Sequence, residues 1–525
     1  MLACASALAE GPVRIGTIRI ESVDVFSPDE AAKGWIYRAA NTIHMQTRES
    51  FLRKQLLFRE GDVLDIARLE ETERNLRALP FIKIASVTAS VPQGGVSDVL
   101  VRTQDSWTTQ PGGSFGSKGG RTAYSVEFQE VDVLGTGRSI SFAYDHGTER
   151  TTRSIEYSDP YLFRPFWKGR LLYADNSDGR QRVLEVKRPF YSFLAPWSAD
   201  GLLVRDVRND KIYADSEVDA EFQHDLRERL LSYGRALAAS EAEAQRVTVG
   251  YDAVDEDFAP VAGRPNAYIP DRRSFRYVFT TFESVGNSFV TMNYVNRDSR
   301  DEDFNLAPRL FVRAAVSPRA LGAPSTSAFA EVAVSGGALL REESFGEAAI
   351  DMQSRFDDGT RNTMVSVFLG YVKKLPTERL QTFVGRLQFD RGWHLDRDVQ
   401  FAADGATGLR GYRLHAFTGD KRVILNLEDR FFFEREYLQL FSPGGVAFVD
   451  TGVAEPEGRP LRLGDLKTDV GVGVRIAIGR AASNNILRID CAYALNRDPR
   501  GRRGFLVSFS SSQAFSFGLE SRSGQ

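Results

Sequence analysis

The pattern of apolar and polar positions changes near residue 110. From there to about residue 515, successive runs alternate apolar and polar side chains, with glycines and Asp/Asn-rich stretches between the runs. A period of two predicts β-strands rather than helices. The predicted strands are Tyr124–Val133, Arg138–Asp145, Arg153–Asp159, Phe275–Phe282, Met364–Val372, Phe383–Asp390, Arg422–Phe433, Thr468–Ile478, Ile486–Leu495 and Phe505–Phe515.

The alternation separates the side chains by chemistry. In the run at 486–495, Leu487, Ile489 and Leu495 share one face, while Arg488 and Asp490 share the other. Runs of about ten residues suit antiparallel strands tilted across a bilayer. A soluble β-sandwich would also alternate, but one series of about four hundred residues exceeds an ordinary sandwich, and closure would remove its edges. The pattern therefore favours a transmembrane β-barrel.

Three stretches of this series leave alternatives open. Residues 225–245 combine leucines with a Glu/Ala-rich end, which suits a loop helix or the end of a strand. The chain continues beyond Phe515 to Gln525, so Phe515 is one candidate for the effective end of the last strand. Glycines in the first run, 110–120, suit either a weak strand at an opening seam or a flexible linker.

The first hundred residues have a mixed pattern. An alternating run at 13–26 precedes a helix that Thr47 can cap and that runs to about Phe58, followed by a second helix capped by Asp65. Pro80 then opens a strand to Val91, and a last strand follows the Gly94-Gly95 turn. The predicted order is strand, helix, helix, strand, strand. Residues 1–9 are small and apolar and end in Ala7-Leu8-Ala9, which predicts the remnant of a secretory signal peptide; the alternative is a lipoprotein cleavage site at Cys4.

Composition excludes several classes of protein. A net charge of −3 gives no bulk field for nucleic acid, and no apolar run reaches the length of roughly 18 residues that a membrane-spanning helix needs. Two cysteines cannot form a disulfide framework or a thiolate metal site. The five histidines lack ligand spacing, and no nucleophile elbow or phosphate loop occurs. We therefore predict no enzyme, no metal, no cofactor and no nucleic-acid partner.

The amino-terminal segment resembles a polypeptide-transport-associated (POTRA) domain. The resemblance lies in two words, Leu56-Leu57-Phe58-Arg59-Glu60-Gly61-Asp62 and Glu73-Arg74-Asn75-Leu76-Arg77-Ala78-Leu79-Pro80-Phe81-Ile82. It implies a periplasmic domain, predicted at 10–109, that binds unfolded client chains by adding a strand to its sheet edge. The alternative is a small α+β domain without a transport role.

One pentapeptide, Gly408-Leu409-Arg410-Gly411-Tyr412, places an arginine between glycines in a Gly- and Asp-rich loop. Glycines allow close approach to another backbone, and a guanidinium held away from water needs an acidic partner. The loop, about 392–420, resembles the inward-folded loop of the BamA-like outer-membrane insertase superfamily, also called bacterial surface antigens. In that family the tip arginine meets an acidic residue on the barrel wall. The matching wall residues are Phe448, Asp450 and Gly452, which share one parity.

The resemblance implies further features. Leu134-Gly135-Thr136-Gly137 and Asp159-Pro160-Tyr161-Leu162 are similar to the family's early turns, and Glu428, Arg430 and Arg475 are candidate charges in the lumen. The implied fold is an all-β transmembrane β-barrel over 110–525, with about 16 antiparallel strands, preceded by the small α+β POTRA-like domain. One departure is that the chain has room for a single POTRA-like domain, which weakens an assignment as the main assembly machine.

Two functions fit these features. The first is an outer-membrane protein of the Gram-negative envelope that inserts or translocates client polypeptides, with outer-membrane lipid, unfolded clients and accessory envelope proteins as partners. The alternative is a passive outer-membrane channel or surface antigen, for which a periplasmic docking domain has no obvious use. In both cases Arg410 is interpreted as a structural latch rather than a catalytic group.

Overall fold

The structure is a computed structural model that describes most of the chain. The described residues are 12–118, 121–147, 149–214, 216–264, 268–297, 300–341, 343–376, 380–433, 436–437, 441–480, 486–510, 513, 515 and 517. The predicted signal remnant, 1–9, and the tail beyond residue 517 lie outside this part.

Two compact units make up the chain. Unit 1 contains Met1–Gln110, Glu130–Ser139 and Arg480–Ser483, and unit 2 contains Pro111–Gln129, Ile140–Gly479 and Asn484–Gln525. Unit 1 therefore combines the amino-terminal segment with two short connections that belong, in sequence, to the strand series.

Unit 1 is an α+β domain. Its sheet has the order β1-β3-β2, with β1 parallel to β3 and β2 antiparallel to β3. Leu52, Leu76 and Ile82 are fully buried between helices and sheet. The elements are β1 (Arg14–Val23), α1 (Pro28–Ala32), α2 (Trp35–Ile43), α3 (Glu49–Gln55), α4 (Ile66–Arg77), β2 (Ile82–Ala89) and β3 (Val96–Asp105).

Helices α3 and α4 lie within the stretches that the sequence predicts, but the predicted cap of α3 is wrong. Arg48 is the N-cap residue and makes no side-chain cap, and the Thr47 hydroxyl donates to Asp132 instead. The Asp65 side chain accepts a hydrogen bond from the Arg68 amide, so the predicted cap of α4 is confirmed. Helices α1 and α2 were missed, because residues 27–46 were interpreted as a connection. A capping box was the available signal: the Ser27 side chain bonds the Glu30 amide, and Glu30 bonds back to the Ser27 amide.

The amino-terminal segment contacts the glycine turn at 134–137. The Arg48 amide donates to the Gly135 carbonyl at 2.9 Å, and Gly135 has φ +69°. A Cβ at Gly137 would lie 2.2 Å from the Phe51 ring. Thr47 donates from its amide to Asp105 at 2.7 Å and from its hydroxyl to Asp132 at 2.8 Å. The turn thus fits against α3 only because glycines leave room for it.

Unit 2 is built from β-strands, most of them long. They are β4 (Thr109–Lys118), β5 (Arg121–Val133), β6 (Arg138–His146), β7 (Thr151–Asp159), β8 (Lys168–Asn176), β9 (Gly179–Arg188), β10 (Trp197–Ala214), β11 (Glu217–Ala239), β12 (Glu243–Pro260), β13 (Arg273–Gly286), β14 (Phe289–Met292), β15 (Glu302–Asn305), β16 (Arg309–Ser317), β17 (Ser327–Arg341), β18 (Ser344–Phe356), β19 (Thr360–Pro376), β20 (Leu380–Trp393), β21 (Phe401–Ala403), β22 (Phe417–Gly419), β23 (Lys421–Phe432), β24 (Phe441–Glu455), β25 (Lys467–Ile478), β26 (Ile486–Ala494) and β27 (Phe505–Ser510).

Twenty of the described strands form one barrel sheet. Its order follows the chain through β4–β13, β16–β20 and β23–β27, and β27 is next to β4 in that order. From β7 to β27, neighbours in this order pair antiparallel. The predicted β-barrel fold is confirmed. None of the described helices is long and apolar enough to span a membrane.

The structure decides the open points of the strand series. Twenty described strands exceed the sixteen that the family resemblance implied, since a resemblance in motifs does not fix the strand count. Residues 225–245 form β11, a short turn and the start of β12, rather than a helix. Glycines 112, 113 and 116 lie within β4, so this run is a strand and not a linker. Phe515 is not the end of the last strand: β27 ends at Ser510, and Phe515 is buried.

The two faces of the barrel sheet have different chemistry. Val470, Val472 and Val474 of β25 are exposed, whereas Asp469 and Arg475 of the same strand are buried. Strand β23 alternates similarly, with Asn426, Glu428 and Arg430 buried. The apolar outward face and charged inward face follow the predicted parity, which places the site described next inside the barrel.

Candidate functional site

The site is built on the connection between β20 and β23, which we call the inward loop (residues 394–420). Strands β21 and β22 pair as a small hairpin within it. Asp404 organises its turn: the carboxylate accepts from the amides of Ala406, Thr407 and His415, and its carbonyl accepts from the Leu409 amide. The Asp-rich composition of the loop therefore reflects its own backbone hydrogen bonds.

Arg410 is placed against Asp450 of β24. Its Nε donates to Asp450 Oδ2 at 2.7 Å and its Nη2 to Oδ1 at 2.8 Å, which is a bidentate pair. The exposed fraction is 3% for the Arg410 side chain and 0% for that of Asp450. A planar guanidinium satisfies both oxygens of one carboxylate, and an ammonium cannot.

The other contacts of Arg410 come from three neighbouring strands. Nη1 lies 2.5 Å from Glu428 of β23 and 3.4 Å from Asp490 of β26. The guanidinium carbon is 3.4 Å from the centroid of the Phe448 ring, which gives a stacked cation–π contact. One loop cation is thus held by β23, β24 and β26 together.

Small residues make this approach possible. Gly408 has φ +135°, and its carbonyl accepts from Asn426 Nδ2 at 2.6 Å. A Cβ at Gly411 would lie 2.5 Å from the Asp469 Cβ. On the wall, a Cβ at Gly471 would lie 2.2 Å from the Phe448 ring, so this glycine makes room for the platform under Arg410.

The flanking loop residues fill the space beside the charges. Leu409 is fully buried in a cluster with Phe417, Ile424 and Ala494. The Tyr412 hydroxyl donates to the Thr468 carbonyl at 3.1 Å. Both ends of the pentapeptide are therefore fixed by packing or by hydrogen bonds.

A wider charge cluster surrounds the arginine. Among the described residues it contains four arginines and four carboxylates, so its formal charges cancel. They are Arg410, Arg430, Arg475, Arg488, Glu428, Asp450, Asp469 and Asp490. The sequence predicted Arg410, Glu428, Arg430, Arg475 and Asp450, but missed the site roles of Asp469, Asp490, Arg488 and the bridging Asn426. Their inward parity was a usable signal; only the barrel's curvature shows that four strands converge on one loop.

Glu428 connects the inward loop to a second buried arginine. Its two oxygens accept from Arg410 at 2.5 Å and from Arg430 Nε at 2.7 Å. Arg430 is fully buried, donates to the Val295 carbonyl at 2.6 Å, and lies 5.1 Å from the Phe515 ring. Arg475 pairs with Asp490 at 2.5 Å beside it.

Val295 and Phe515 belong to a second insertion into the lumen. It comprises the β14–β15 hairpin and the described residues of the tail after β27. Asn296 and Phe517 exchange two hydrogen bonds, of 2.9 and 2.8 Å. The insertion packs in one apolar cluster: Met292, Val295, Phe304, Leu306, Phe345, Val372, Val384, Phe515 and Phe517. Five barrel strands lie between the hairpin and the inward loop along the chain, and five lie between the loop and the tail. Because successive antiparallel strands reverse direction, an odd number of strands places the hairpin and the tail at the opposite end of the barrel from the loop.

The inward loop also reaches the far wall. The Tyr213 amide donates to Gln400 at 2.9 Å, the Tyr213 ring stacks on His415 at 3.6 Å, and Ser216 bonds the Ala416 carbonyl at 3.4 Å. Strand β10 lies ten positions from β24 in a barrel order of twenty strands. The loop therefore crosses the lumen between opposite walls.

The base of the loop is fixed by a separate ion-pair network. Arg273 of β13 contacts Asp398 at 2.6 Å and Asp396 at 3.1 Å, and Arg355 of β18 contacts Asp396 at 3.0 Å. These partly buried pairs hold residues 396–398 independently of Arg410. The sequence does not predict these pairs, because the spacing of their residues along the chain carries no pattern.

Comparison with known proteins adds likenesses of overall shape. No family model and no curated protein matches the chain. CdiB from Acinetobacter baumannii superposes with a TM-score of 0.47 at 11% identity, over 95% of this chain and 73% of that one. For CdiB from Escherichia coli the values are 0.46, 13%, 95% and 76%.

BamA from Haemophilus ducreyi, in a form lacking POTRA domains 1–3, gives a TM-score of 0.38 at 12% identity, over 95% of this chain and 84% of that one. The chain is therefore similar to these BamA and CdiB structures along nearly its whole length.

Proposed function

We propose that this protein is an outer-membrane β-barrel that inserts or translocates client polypeptides. The observation that carries the proposal is the inward loop, which is held by a buried ion cluster on one wall and reaches the opposite wall. Such a loop gives the lumen two defined states, held and released, separated by a set of charged contacts. A movable element of this kind suits a conduit for a large substrate better than a permanent pore.

The α+β unit supports client handling. Its three-stranded sheet has β1 and β2 at its edges. The start of β1 already exchanges backbone hydrogen bonds with residues 61–64, so β2 is the edge at which an extended polypeptide would bind through backbone hydrogen bonds. In this proposal the unit is periplasmic and delivers unfolded chains to the barrel. Accessory envelope proteins would use the same surfaces.

The apolar outward face supports placement in the outer membrane. Valines of β25 and leucine and isoleucine of β26 stand exposed around the barrel, where lipid would cover them. The predictions of no catalytic group, no metal and no cofactor are kept as part of this proposal.

A passive channel is the second candidate, and two insertions in the lumen count against it. The inward loop enters from one end, and the β14–β15 hairpin with Phe515 and Phe517 enters from the other. A constitutive pore gains nothing from filling its own lumen with two ordered segments.

Depletion of the protein separates the two candidates. We expect levels of specific outer-membrane or surface proteins to fall in a survey of the outer-membrane proteome, and the purified barrel to conduct weakly in planar bilayers. An unchanged proteome together with a large steady conductance would establish the passive channel instead.

A further inference from the structure

Four outward arginines lie together on strands β9, β10 and β11. Arg182, Arg205 and Arg227 are register partners across these strands, and Arg229 follows Arg227 on the same face of β11. We call these four residues the arginine patch. Because neighbouring strands lie about 4.8 Å apart, the patch spans roughly 10 Å across the sheet. Like charges on directly opposed residues repel each other, so this arrangement is unfavourable unless an anion offsets it.

One carboxylate is shared by two arginines of the patch. Asp225 of β11 lies 3.3 Å from Arg205 and 2.7 Å from Arg227. Within the described part of the chain, Arg182 and Arg229 form no ion pair. Four guanidinium groups around one carboxylate leave an excess of positive charge on this part of the outward face.

Three further carboxylates of the same face each have an arginine of their own. The pairs are Asp255 with Arg276 at 2.9 Å, Asp257 with Arg272 at 3.0 Å, and Asp175 with Arg180 at 3.3 Å. Asp257 also lies 3.8 Å from Arg227. Because each of these pairs is neutral by itself, the excess of positive charge stays with the arginine patch.

An apolar hollow borders the patch on the side nearer the start of β10. In the adjoining row, Leu184 and Leu203 are register partners and are 44% and 51% exposed. One row further, Gly201 lies between Val186 and Leu231. A Cβ at Gly201 would meet nothing closer than 3.8 Å, so no side chain fills this space. Leu184 and Leu203 line both the cationic and the apolar part, which makes one groove with two chemically different ends.

We propose that this groove binds a glycolipid bearing two phosphates, with its headgroup on the arginine patch and an acyl chain in the hollow. The planar guanidinium fork matches phosphate oxygens, and a patch roughly 10 Å wide has room for two phosphates side by side. A small soluble anion would leave the exposed leucines uncovered, whereas an amphiphile covers both ends of the groove. The inference rests on the proposed placement of the barrel in the outer membrane, which turns this face toward lipid.

The position of the patch along the strand favours the outer leaflet. The arginine at position 205 lies beyond the leucine at 203, toward the end of β10. Strands β4 to β10 are successive neighbours joined as hairpins, so β10 runs in the same direction as β4. In the proposed function the segment before β4 is periplasmic, and the end of β10 then lies toward the cell surface. Lipid A, a glycolipid with two phosphates, is the lipid of that leaflet with this chemistry.

Native mass spectrometry of the full-length protein released from detergent measures lipid binding. The probes are lipid A with two phosphates, lipid A with one phosphate, cardiolipin and phosphatidylglycerol. We expect lipid A with two phosphates to bind most tightly. Tighter binding of cardiolipin would overturn the glycolipid as occupant, equal binding of the two forms of lipid A would overturn the role of the second phosphate, and equal binding of all four lipids would overturn the site.

Arg182→Gln combined with Arg229→Gln removes two charges without breaking an ion pair between described residues. We expect this variant to bind lipid A about tenfold more weakly and to remain as stable without lipid as the parent protein. Arg391→Gln is the matched control, because Arg391 of β20 also faces outward and lies over Trp393 at 4.7 Å, as Arg182 lies over Tyr173 at 5.8 Å. Equal weakening by the control would show a general effect of charge and overturn the site.

Gly201→Leu tests the apolar end of the groove. Its side chain would fill the hollow, so we expect weaker binding of lipid A and an unchanged thermal midpoint of the lipid-free protein. Undiminished binding would remove the hollow from the site. Client handling is measured separately by the depletion survey. An unchanged proteome with specific lipid A binding would keep the site and remove the proposed function, and the opposite result would remove the site alone.

Discussion

A single guanidinium determines how the lumen is arranged. Arg410 contacts three carboxylates on three strands and is almost fully withdrawn from solvent. Removing one partner from such a buried pair leaves an uncompensated charge, which costs more than the pair contributes. The residue is therefore best tested by paired substitutions rather than by a single one.

We expect Arg410→Ala and Asp450→Asn each to lower the free energy of unfolding of the barrel with its loop held by about 3–5 kcal/mol, because each leaves a buried charge without its partner. In the double variant the two losses should not add, since one interaction is removed twice. Thermal or denaturant unfolding of the detergent-solubilised barrel measures this. Additive losses would show that the two side chains do not act as a pair.

Arg410→Lys is the matched control for charge. Lysine keeps the positive charge but lacks the fork that binds both oxygens of Asp450. We expect it to recover only part of the loss caused by Arg410→Ala. Full recovery would mean that the bidentate geometry is unimportant.

The buried acid Asp105 gives unit 1 a pH dependence. Burial raises the pKa of Asp105 to about 6, against the lowering effect of the Thr47 amide that it accepts and of nearby His44. The pKa of His44 is also raised. Burial by itself lowers this pKa, but the hydrogen bond to Asp24 and the negative charges of Asp24, Asp105 and Asp132 raise it by more. A group whose pKa is higher in the folded state contributes stability at low pH and loses it as the pH rises through that value.

Unit 1 should therefore be less stable at pH 8 than at pH 5. Asp105→Asn keeps the acceptor for Thr47 and should raise the free energy of unfolding at pH 8 by about 2–3 kcal/mol, with little effect at pH 4. Hydrogen exchange of peptides covering residues 44–58 in the full chain, corrected for intrinsic rates, measures this. Lower protection of the variant at pH 8 would contradict the assignment.

At the scale of elements, the site depends on how strands β23 to β26 face the loop. Asn426, Asp450 and Asp469 are register partners on β23, β24 and β25, and β26 contributes Asp490. Glycines on β25 leave room for larger neighbours. Gly473 illustrates this, because a Cβ there would lie 2.1 Å from Asp490, the partner of Arg475. Strand parity chooses the face, and the absence of a side chain at two positions lets charged and aromatic groups occupy it.

Gly471→Ala tests this packing directly. Its Cβ would overlap the Phe448 ring and displace the platform under Arg410, so we expect a loss of about 1–3 kcal/mol in unfolding free energy. Gly464→Ala is the control, because a Cβ there meets nothing within 4 Å. Equal stability of the two variants would show that the Phe448 platform is not needed.

Across the whole molecule, the inward loop joins walls that the chain order places ten strands apart. Its attachments differ in kind. They are buried ion pairs at β24, partly buried pairs at its base and, near the end of β10, ring stacking, hydrogen bonds at Tyr213 and Ser216, and a 3.4 Å contact of His415 with Glu149. We expect release of the loop to begin at this last attachment, because it is the one without an arginine–carboxylate pair.

Locking that end tests whether loop movement is needed. Ser216→Cys with Ala416→Cys, bridged by oxidation or a short thiol crosslinker in a background free of other cysteines, should abolish client transport and leave the barrel folded. Reductant should restore transport of the disulfide form, and Ser216→Cys alone should remain active. Undiminished transport by the locked protein would show that the loop stays in place during function.

Much of this arrangement follows from the sequence alone. Alternation with a period of two determines the strands and which side chains face inward, because neighbouring residues in a strand point to opposite sides. The glycine-flanked arginine indicated a close approach and an acidic partner, and the family resemblance implied Asp450, with which the strand parity agrees. Local rules also placed α3, α4 and the cap at Asp65.

Only the tertiary structure decided the rest. The number of strands, the convergence of four of them on the inward loop, the contact with β10 and the inward turn of Phe515 depend on curvature and on residues distant in sequence. Residues 225–245 form strands despite a helical composition, because pairing with neighbours on both sides outweighs intrinsic propensity. Sequence pattern is local in its physical origin, whereas a lumen is formed by closing a sheet around it.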